Sequence, residues 1–108
     1  MRPLTVRVVG AREGRALNRR FRRRAHATNV LAFAYGGAGD IVLCHPVVAR
    51  EARAQGKSVR AHYAHLVVHG VLHLRGYLHD DKRSARRMEA REIRILRRLG
   101  FADPYTVE

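Results

Sequence analysis

The sequence predicts one α+β domain in which a small mixed β-sheet packs against helices. Three observations predict this fold class. The 108 residues suffice for one small core but not for two. Strand-like segments lie in the first half of the chain, with one helical segment between them, and helical segments fill the second half. No internal repeat or linker interrupts this order, so residues 1–108 are expected to form a single domain.

The strand predictions rest on short apolar runs that are rich in β-branched residues. LTVRVV at residues 4–9 alternates apolar and cationic side chains, which predicts a strand with one buried face. Two further runs, TNVLAFAY at 28–35 and GDIVLCH at 39–45, flank a glycine-rich loop and predict a β-hairpin. The single cysteine, Cys44, has no partner for an intramolecular disulfide, and we expect a small buried side chain at the end of its strand.

The helix predictions rest on periodicity and on residues that start or end helices. Pro46 suits the first turn of a helix, Ser58 is a typical N-cap, and Gly76 can end the helix that Ser58 begins. That long helix is apolar almost all round, which predicts a central, buried element that carries histidines. The predicted helices cover residues 11–22, 46–55, 58–75 and, after a cap at Asp81 or Ser84, a stretch that ends at Gly100.

Charge is the strongest compositional signal. The chain has 22 Lys and Arg against 9 Asp and Glu, for a formal net charge of +13, and only Lys57 and Lys82 are lysines. The planar guanidinium suits phosphate, so this composition predicts a polyanionic partner such as RNA. A GC-rich genome would explain the preference for arginine over lysine, but not the net charge.

The short apolar runs are informative about the cellular location of the protein. These runs are only a few residues long, and charged residues interrupt the first thirteen positions, which does not match a membrane helix or a secretory signal. We therefore expect a cytoplasmic protein that does not associate with membranes. One cysteine agrees with a reducing compartment.

The segment HGVLHLRGYLH contains three histidines whose spacing predicts a metal site. His65, His69 and His73 are four residues apart and share one face of the long helix. Positions eight apart are separated by about 12 Å along the axis, whereas zinc lies about 2.1 Å from its nitrogen ligands, so only an adjacent pair can bind one ion. A chain turn at Gly76 would bring His79 to His69 and His73. Three histidines would leave a fourth position for water, as in catalytic zinc sites.

Other interpretations of these histidines stay open at this point, namely a surface patch or hydrogen-bonded core residues. For His62 and His65 we expect positions on the helix face near the site, outside the ligand set. Gly70 stands where the HExxH motif of metalloproteases has its glutamate base, so that mechanism is disfavoured. A residue this small instead allows another element to pack closely against the helix.

HGVLHLRGYLH resembles the signature of the YbeY family of metal-dependent endoribonucleases, whose three histidines bind a zinc ion. Further segments resemble the family in the same order: LNRRFR at 17–22, TNVLAF, GDIVL and the tail MEAREIRILRRLGFADPY. The resemblance covers nearly the whole chain. Family members usually carry another strand and helix before the strand at Leu4, so we expect an N-terminally short domain with an exposed sheet edge.

The resemblance implies a single-strand-specific endoribonuclease that acts in rRNA processing, at the 3′ end of 16S rRNA, and in ribosome quality control. It implies one Zn²⁺ per chain at His69, His73 and His79, and a zinc-activated water that attacks the phosphodiester. Arg22 matches the family's functional arginine, which would neutralise charge on the phosphate. The implied partners are single-stranded rRNA and the ribosome or its proteins. The neighbouring arginines are expected to bind the RNA backbone: Arg19, Arg20, Arg23 and Arg24.

Three positions depart from the family pattern. Asn29 and Ala32 replace an Asp and a Ser in the first hairpin strand, and Leu78 replaces the acid before the third histidine. Asp80 or Asp81 could supply the contact that is lost at Leu78. Two other functions also fit the residues, a non-catalytic zinc-containing module that binds RNA or the ribosome, and a metal-dependent hydrolase of a non-nucleic substrate. The arginine-rich segment argues against the second of these.

Overall fold

The computed structural model describes residues 4–22, 29–35, 38–77 and 80–105. Each predicted strand and helix is present, and its ends lie within about two residues of the prediction. The α+β class is therefore confirmed. In chain order the elements are β1 (Leu4–Val9), α1 (Ala11–Arg22), β2 (Val30–Tyr35), β3 (Ala38–Cys44), α2 (His45–Ala54), α3 (Val59–Leu74) and α4 (Lys82–Arg98).

A three-stranded mixed sheet of order β1-β3-β2 forms one layer of the fold. β2 and β3 make the predicted antiparallel hairpin, with Leu31 opposite Val42. β1 pairs with β3 in parallel, with Val6 opposite Ile41. The central strand β3 ends in four consecutive buried residues, the last of which is Cys44, as predicted.

β1 is a strand as predicted, but the prediction that one of its faces is buried is wrong for the described part of the chain. Leu4, Val6 and Val8 are 42%, 46% and 58% exposed, whereas Val9 is buried. These three side chains share one face because alternate residues of a strand point the same way. β1 hydrogen-bonds only to β3, so it is an edge strand, and the described elements leave its apolar face open to solvent.

α3 is the central helix of the fold, as its nearly continuous apolar surface predicts. On one side Leu66 belongs to a buried cluster with Ile41 of β3. On another side Leu72 packs in a second buried cluster with Met88 of α4. The helix is thus held between the sheet and α4, and its histidine face is fixed relative to both.

The predicted caps and terminators set the ends of α3 and α4. The Ser58 hydroxyl accepts a hydrogen bond of 3.0 Å from a backbone N–H in the first turn of α3. The Asp81 carboxylate accepts one of 2.8 Å from the backbone N–H of Ser84, so Asp81 is the N-cap of α4. Gly76 and Gly100 follow the two helices with φ of 95° and 90°, a left-handed conformation that glycine adopts readily.

Gly70 lies where α3 packs most closely on β3. A Cβ atom at this position would lie 3.1–3.3 Å from three side-chain atoms of Ile41, and Ile41 is fully buried. Such a buried neighbour has little room to move. The expectation that a small residue here permits close packing is therefore confirmed.

We expect Gly70→Leu to lower the free energy of unfolding by about 1–3 kcal/mol, because the new side chain overpacks the interface with β3. Gly70→Ala should change it less, since alanine gains about 1 kcal/mol of helix propensity over glycine. Urea denaturation measures both. Ile41→Val in the Gly70→Leu background should recover part of the loss by making room. A Gly70→Leu protein as stable as the parent would contradict this account.

Candidate metal centre

α3 and α4 bring imidazoles and a carboxylate together in the space between them. His65, His69 and His73 recur every four residues of α3 and therefore lie along one face. Glu92 lies one turn of α4 after Met88, and both side chains point into the protein. Packing of the apolar residues of the two helices thus carries Glu92 to the histidine face.

Glu92 is fully buried, and three side chains bind its carboxylate. Its Oε2 lies 2.9 Å from Nε2 of His65 and 3.1 Å from Nδ1 of His69, and its Oε1 accepts a hydrogen bond of 2.7 Å from the Tyr105 hydroxyl. Burial by itself raises the pKa of Glu92, but the three hydrogen bonds outweigh burial and lower the pKa to about 2. Glu92 is therefore an anion at neutral pH.

Tyr105 closes one side of this arrangement from the segment after α4. Its ring lies edge-on to His65, with 5.2 Å between ring centroids. Burial and the hydrogen bond to Glu92 raise the pKa of Tyr105, so the hydroxyl stays protonated and donates. A pocket of about 250 Å³ opens beside it and is lined by His69, Ala85, Met88, Glu89, Glu92 and Tyr105.

His69 and His73 direct nitrogen atoms at each other. Their Nε2 atoms are 3.0 Å apart, and their rings are nearly perpendicular, at 77°. The carboxylate beside Nδ1 of His69 favours the tautomer with its proton on Nδ1, which leaves the lone pair on Nε2. The separation is less than twice the zinc–nitrogen distance of about 2.1 Å, so both Nε2 atoms can reach one ion.

His65, His69 and Glu92 form another group that could hold a metal ion. One ligand atom from each residue lies within 4.8 Å of the other two. Oε2 of Glu92 contacts one nitrogen of each histidine, so the carboxylate orients the two imidazoles. The described residues thus provide a site of metal-binding character, formed by α3 and α4, with two alternative ligand sets.

The comparisons with known proteins match this sequence and fold to one family. The family model described as Endoribonuclease YbeY matches residues 2–100. The chain belongs to the YbeY family. Endoribonuclease YbeY of Methylibium petroleiphilum is 56% identical over 106 residues, which cover 94% of this chain and 71% of that protein. Endoribonuclease YbeY of Cupriavidus metallidurans is 60% identical over 108 residues, which cover 94% of this chain but only 55% of that protein.

A solved structure supports the fold of this YbeY family member. The solution structure of TM1509 from Thermotoga maritima superposes with a TM-score of 0.60 and 25% sequence identity. The match covers 96% of this chain and 78% of that one. The resemblance drawn from the histidine segment is therefore confirmed by both sequence and fold.

The structure describes only part of the predicted YbeY site. His69 and His73 are brought together as predicted, whereas His79 lies outside the described residues and stays a prediction. Arg22 is the last residue of α1, and its side chain is not described. Arg19 is exposed and Arg20 is also described on α1, but Arg23, Arg24 and Leu78 lie outside the described residues.

Glu92 and Tyr105 are site residues that the sequence analysis missed. The signal for Glu92 was its spacing, since it lies four residues after Met88 and four before Leu96 on the buried face of α4. A carboxylate on such a face needs partners, and the histidines of α3 supply them. Tyr105 carried no comparable signal, because it follows the helix in an irregular segment.

His62 and Asn29 belong to a neighbouring network rather than to the histidine pair. His62 is buried, and its Nε2 lies 2.9 Å from Oε1 of Glu51 on α2. Asn29 donates from Nδ2 to the same oxygen at 3.1 Å. Asn29, one of the three departures from the family pattern, therefore links the start of the hairpin to α2. Asp81, a candidate replacement for the acid missing at Leu78, is used as the cap of α4.

Glu92 should make stability depend on pH in acid. Its pKa falls from 4.5 to about 2 on folding, so its stabilising contribution is complete above pH 4.5 and is lost as pH falls toward 2. In metal-free protein we expect Glu92→Gln to reduce the fall in unfolding free energy across this window, as measured by urea titrations at several pH values.

The matched control is Glu89→Gln, because Glu89 lies on the same helix and, within the described structure, makes no hydrogen bond to a histidine. This variant should keep the pH dependence of the parent. Equal effects of the two substitutions would contradict the assignment of the acid-sensitive contribution to Glu92.

Proposed function

We propose that this chain is a zinc-dependent endoribonuclease that hydrolyses single-stranded RNA in rRNA processing and ribosome quality control. The observation that carries the proposal is the His69–His73 pair, whose Nε2 atoms lie 3.0 Å apart in a chain of the YbeY family. The relatives that it matches are named endoribonucleases. The net charge of +13 suits a polyanionic substrate.

In this proposal Nε2 of His69 and Nε2 of His73 bind one zinc ion together with His79. Imidazole ligands suit zinc better than Mg²⁺ or Ca²⁺, which prefer oxygen ligands. The alternative set would use the carboxylate of Glu92, which three side chains already bind. We therefore assign Glu92 to the support of His69, a common role for a carboxylate behind a histidine ligand.

A zinc ion at this position would lower the pKa of a bound water and polarise a phosphoryl oxygen. The chain's own residues act around it. Glu92 keeps the proton of His69 on Nδ1, so that Nε2 remains a lone-pair donor. Arg22 neutralises charge that builds on the phosphate, and the RNA backbone is bound by Arg19, Arg20, Arg23 and Arg24.

The proposal extends to location and partners. We propose that the protein is cytoplasmic and meets single-stranded rRNA on the ribosome or with ribosomal proteins. The family, the arginine content and the single cysteine support this proposal. No observation favours a non-catalytic RNA-binding module or a hydrolase of a non-nucleic substrate over this proposal.

We expect one zinc ion per chain, and we expect His73→Ala to lose most of it. The control is His65→Gln, which should keep close to one zinc because His65 lies outside the proposed ligand set. Elemental analysis of the purified proteins measures the zinc content, and cleavage of a short unstructured RNA measures activity. Zinc retained in His73→Ala, or lost in His65→Gln, would favour the ligand set with His65 and Glu92.

Arg22→Lys should lower the single-turnover cleavage rate by about tenfold or more, with a smaller loss of RNA affinity. Lysine keeps the positive charge but lacks the planar fork that matches a phosphate in the transition state. Arg24→Lys is the control from the same arginine run, and it should change rate and affinity in the same small proportion. An Arg22→Lys protein that loses rate and affinity equally would assign Arg22 to binding alone.

A further inference from the structure

α4 carries a row of arginines on the side that faces solvent. All seven are exposed, and they make up the α4 arginine face: Arg83, Arg86, Arg87, Arg91, Arg94, Arg97 and Arg98. None of them belongs to the α1 segment in which the sequence analysis expected RNA binding. This face is therefore a separate concentration of positive charge.

The spacing of these residues forms a nearly straight row. An α-helix turns by about 100° per residue and rises by about 1.5 Å. Positions 83, 87, 91, 94 and 98 therefore fall within an arc of about 80° and extend over about 22 Å of the helix. A row of this length suits an extended line of phosphates better than a single small anion.

Within the described residues no direct ion pair neutralises the α4 arginine face, although Asp81 at the N-cap attracts Arg87 electrostatically. The acidic residues of α4 lie elsewhere on the helix, with Glu92 fully buried and Glu89 partly buried beside the pocket next to His69. In residues 4–22, 29–35, 38–77 and 80–105, no carboxylate forms an ion pair with any arginine of this face. Like charges three or four residues apart destabilise a helix, so the row has a cost that binding of an anion would offset.

The apolar side of α4 is buried, which argues against a membrane as the anionic partner. A basic helix that binds a membrane inserts its apolar face into the lipid. The apolar residues Met88 and Leu96 of α4 are 1% exposed and belong to the core cluster with α3. The apolar face is thus already occupied, and the partner must be bound through the guanidinium groups, which match phosphate in a bidentate manner.

The α4 arginine face is also separated from the histidine pair. Glu92, which contacts His69, lies on the opposite side of α4 from the row centred on Arg87 and Arg94. A single strand at the histidines and an anion on this face would therefore occupy different surfaces. The major groove of double-helical RNA is too narrow for side chains to read the bases. The α4 arginine face would therefore contact the RNA backbone, independently of sequence.

We propose that the α4 arginine face binds the phosphate backbone of double-helical RNA, as an anchoring surface apart from the cleavage site. This inference rests on the proposed function for the presence of an RNA substrate. It assigns the structured part of that RNA to α4 and the single-stranded part to the site formed by α3 and α4.

The test compares two double variants of the full zinc-loaded protein. Arg91→Gln with Arg94→Gln removes two arginines from the α4 arginine face. Arg50→Gln with Arg53→Gln removes two exposed arginines of the same spacing from α2. Glutamine has nearly the helix propensity of arginine, and circular dichroism checks that both variants stay folded.

Binding of a blunt RNA duplex is measured against salt concentration, and the duplex is checked to be intact afterwards. Each neutralised phosphate contributes about 0.7–0.9 to the slope of log K against log salt, so the α4 pair should flatten the slope by about 1.4–1.8. The α2 pair should flatten it by less than half as much. The loss of affinity in the α4 variant should be larger for the duplex than for a short unstructured strand.

Equal effects of the two pairs would overturn the proposal, since net charge alone would then explain binding. An equal loss for duplex and single strand would also overturn it, because α4 would then belong to the path of the cleaved strand. Binding to anionic phosphatidylserine vesicles is measured as a third comparison. If the α4 variant loses as much vesicle binding as duplex binding, the face is not specific for RNA and the proposal is overturned. Cleavage of the short strand is recorded separately, so a protein that binds duplex through α4 but cleaves nothing refutes only the proposed function.

Discussion

The buried carboxylate of Glu92 is the interaction on which the histidine site depends. An anion without water must be hydrogen-bonded or it is very costly, and here His65, His69 and Tyr105 provide three contacts. The same contacts hold α4 against α3 and set the orientation of His69. Packing of the core and orientation of the His69 imidazole are therefore one structural requirement, because a shift of either helix would expose that charge or remove its partners.

The opposite side of α3 supplies the second constraint. Gly70 lets the helix approach Ile41 so closely that even a Cβ atom would be crowded against it, and this contact limits how deep α3 lies on β3. His69 immediately precedes Gly70 in α3, so the distance between the helix and the sheet also sets where its imidazole can reach. The fold thus controls the site from both faces of one helix, through an apolar contact on one side and a hydrogen bond to a buried carboxylate on the other.

Local features of the sequence were sufficient to predict much of this arrangement. Ser58, Asp81 and Gly76 act within one turn of a helix, and the pairing of His69 with His73 follows from a spacing of four residues. Local features did not predict contacts between segments that are distant in the sequence. The partnership of Glu92 with α3 depends on how two helices pack. The alternation in β1 shows that one face is apolar, but not whether another element covers it.

The arginine content is a second case in which the sequence does not show where residues lie in the fold. Net charge predicts a polyanionic partner, but it does not say which surface carries the charge. In α4 the adjacent residues Arg91 and Glu92 differ by about 100° around the axis, so one faces solvent and the other lies in the core. A single helix therefore supports His69, the proposed metal ligand, on its inner side and presents arginines to solvent on its outer side. Substitutions on the two sides should affect metal binding and RNA binding independently, because no described side chain of the outer row contacts Glu92.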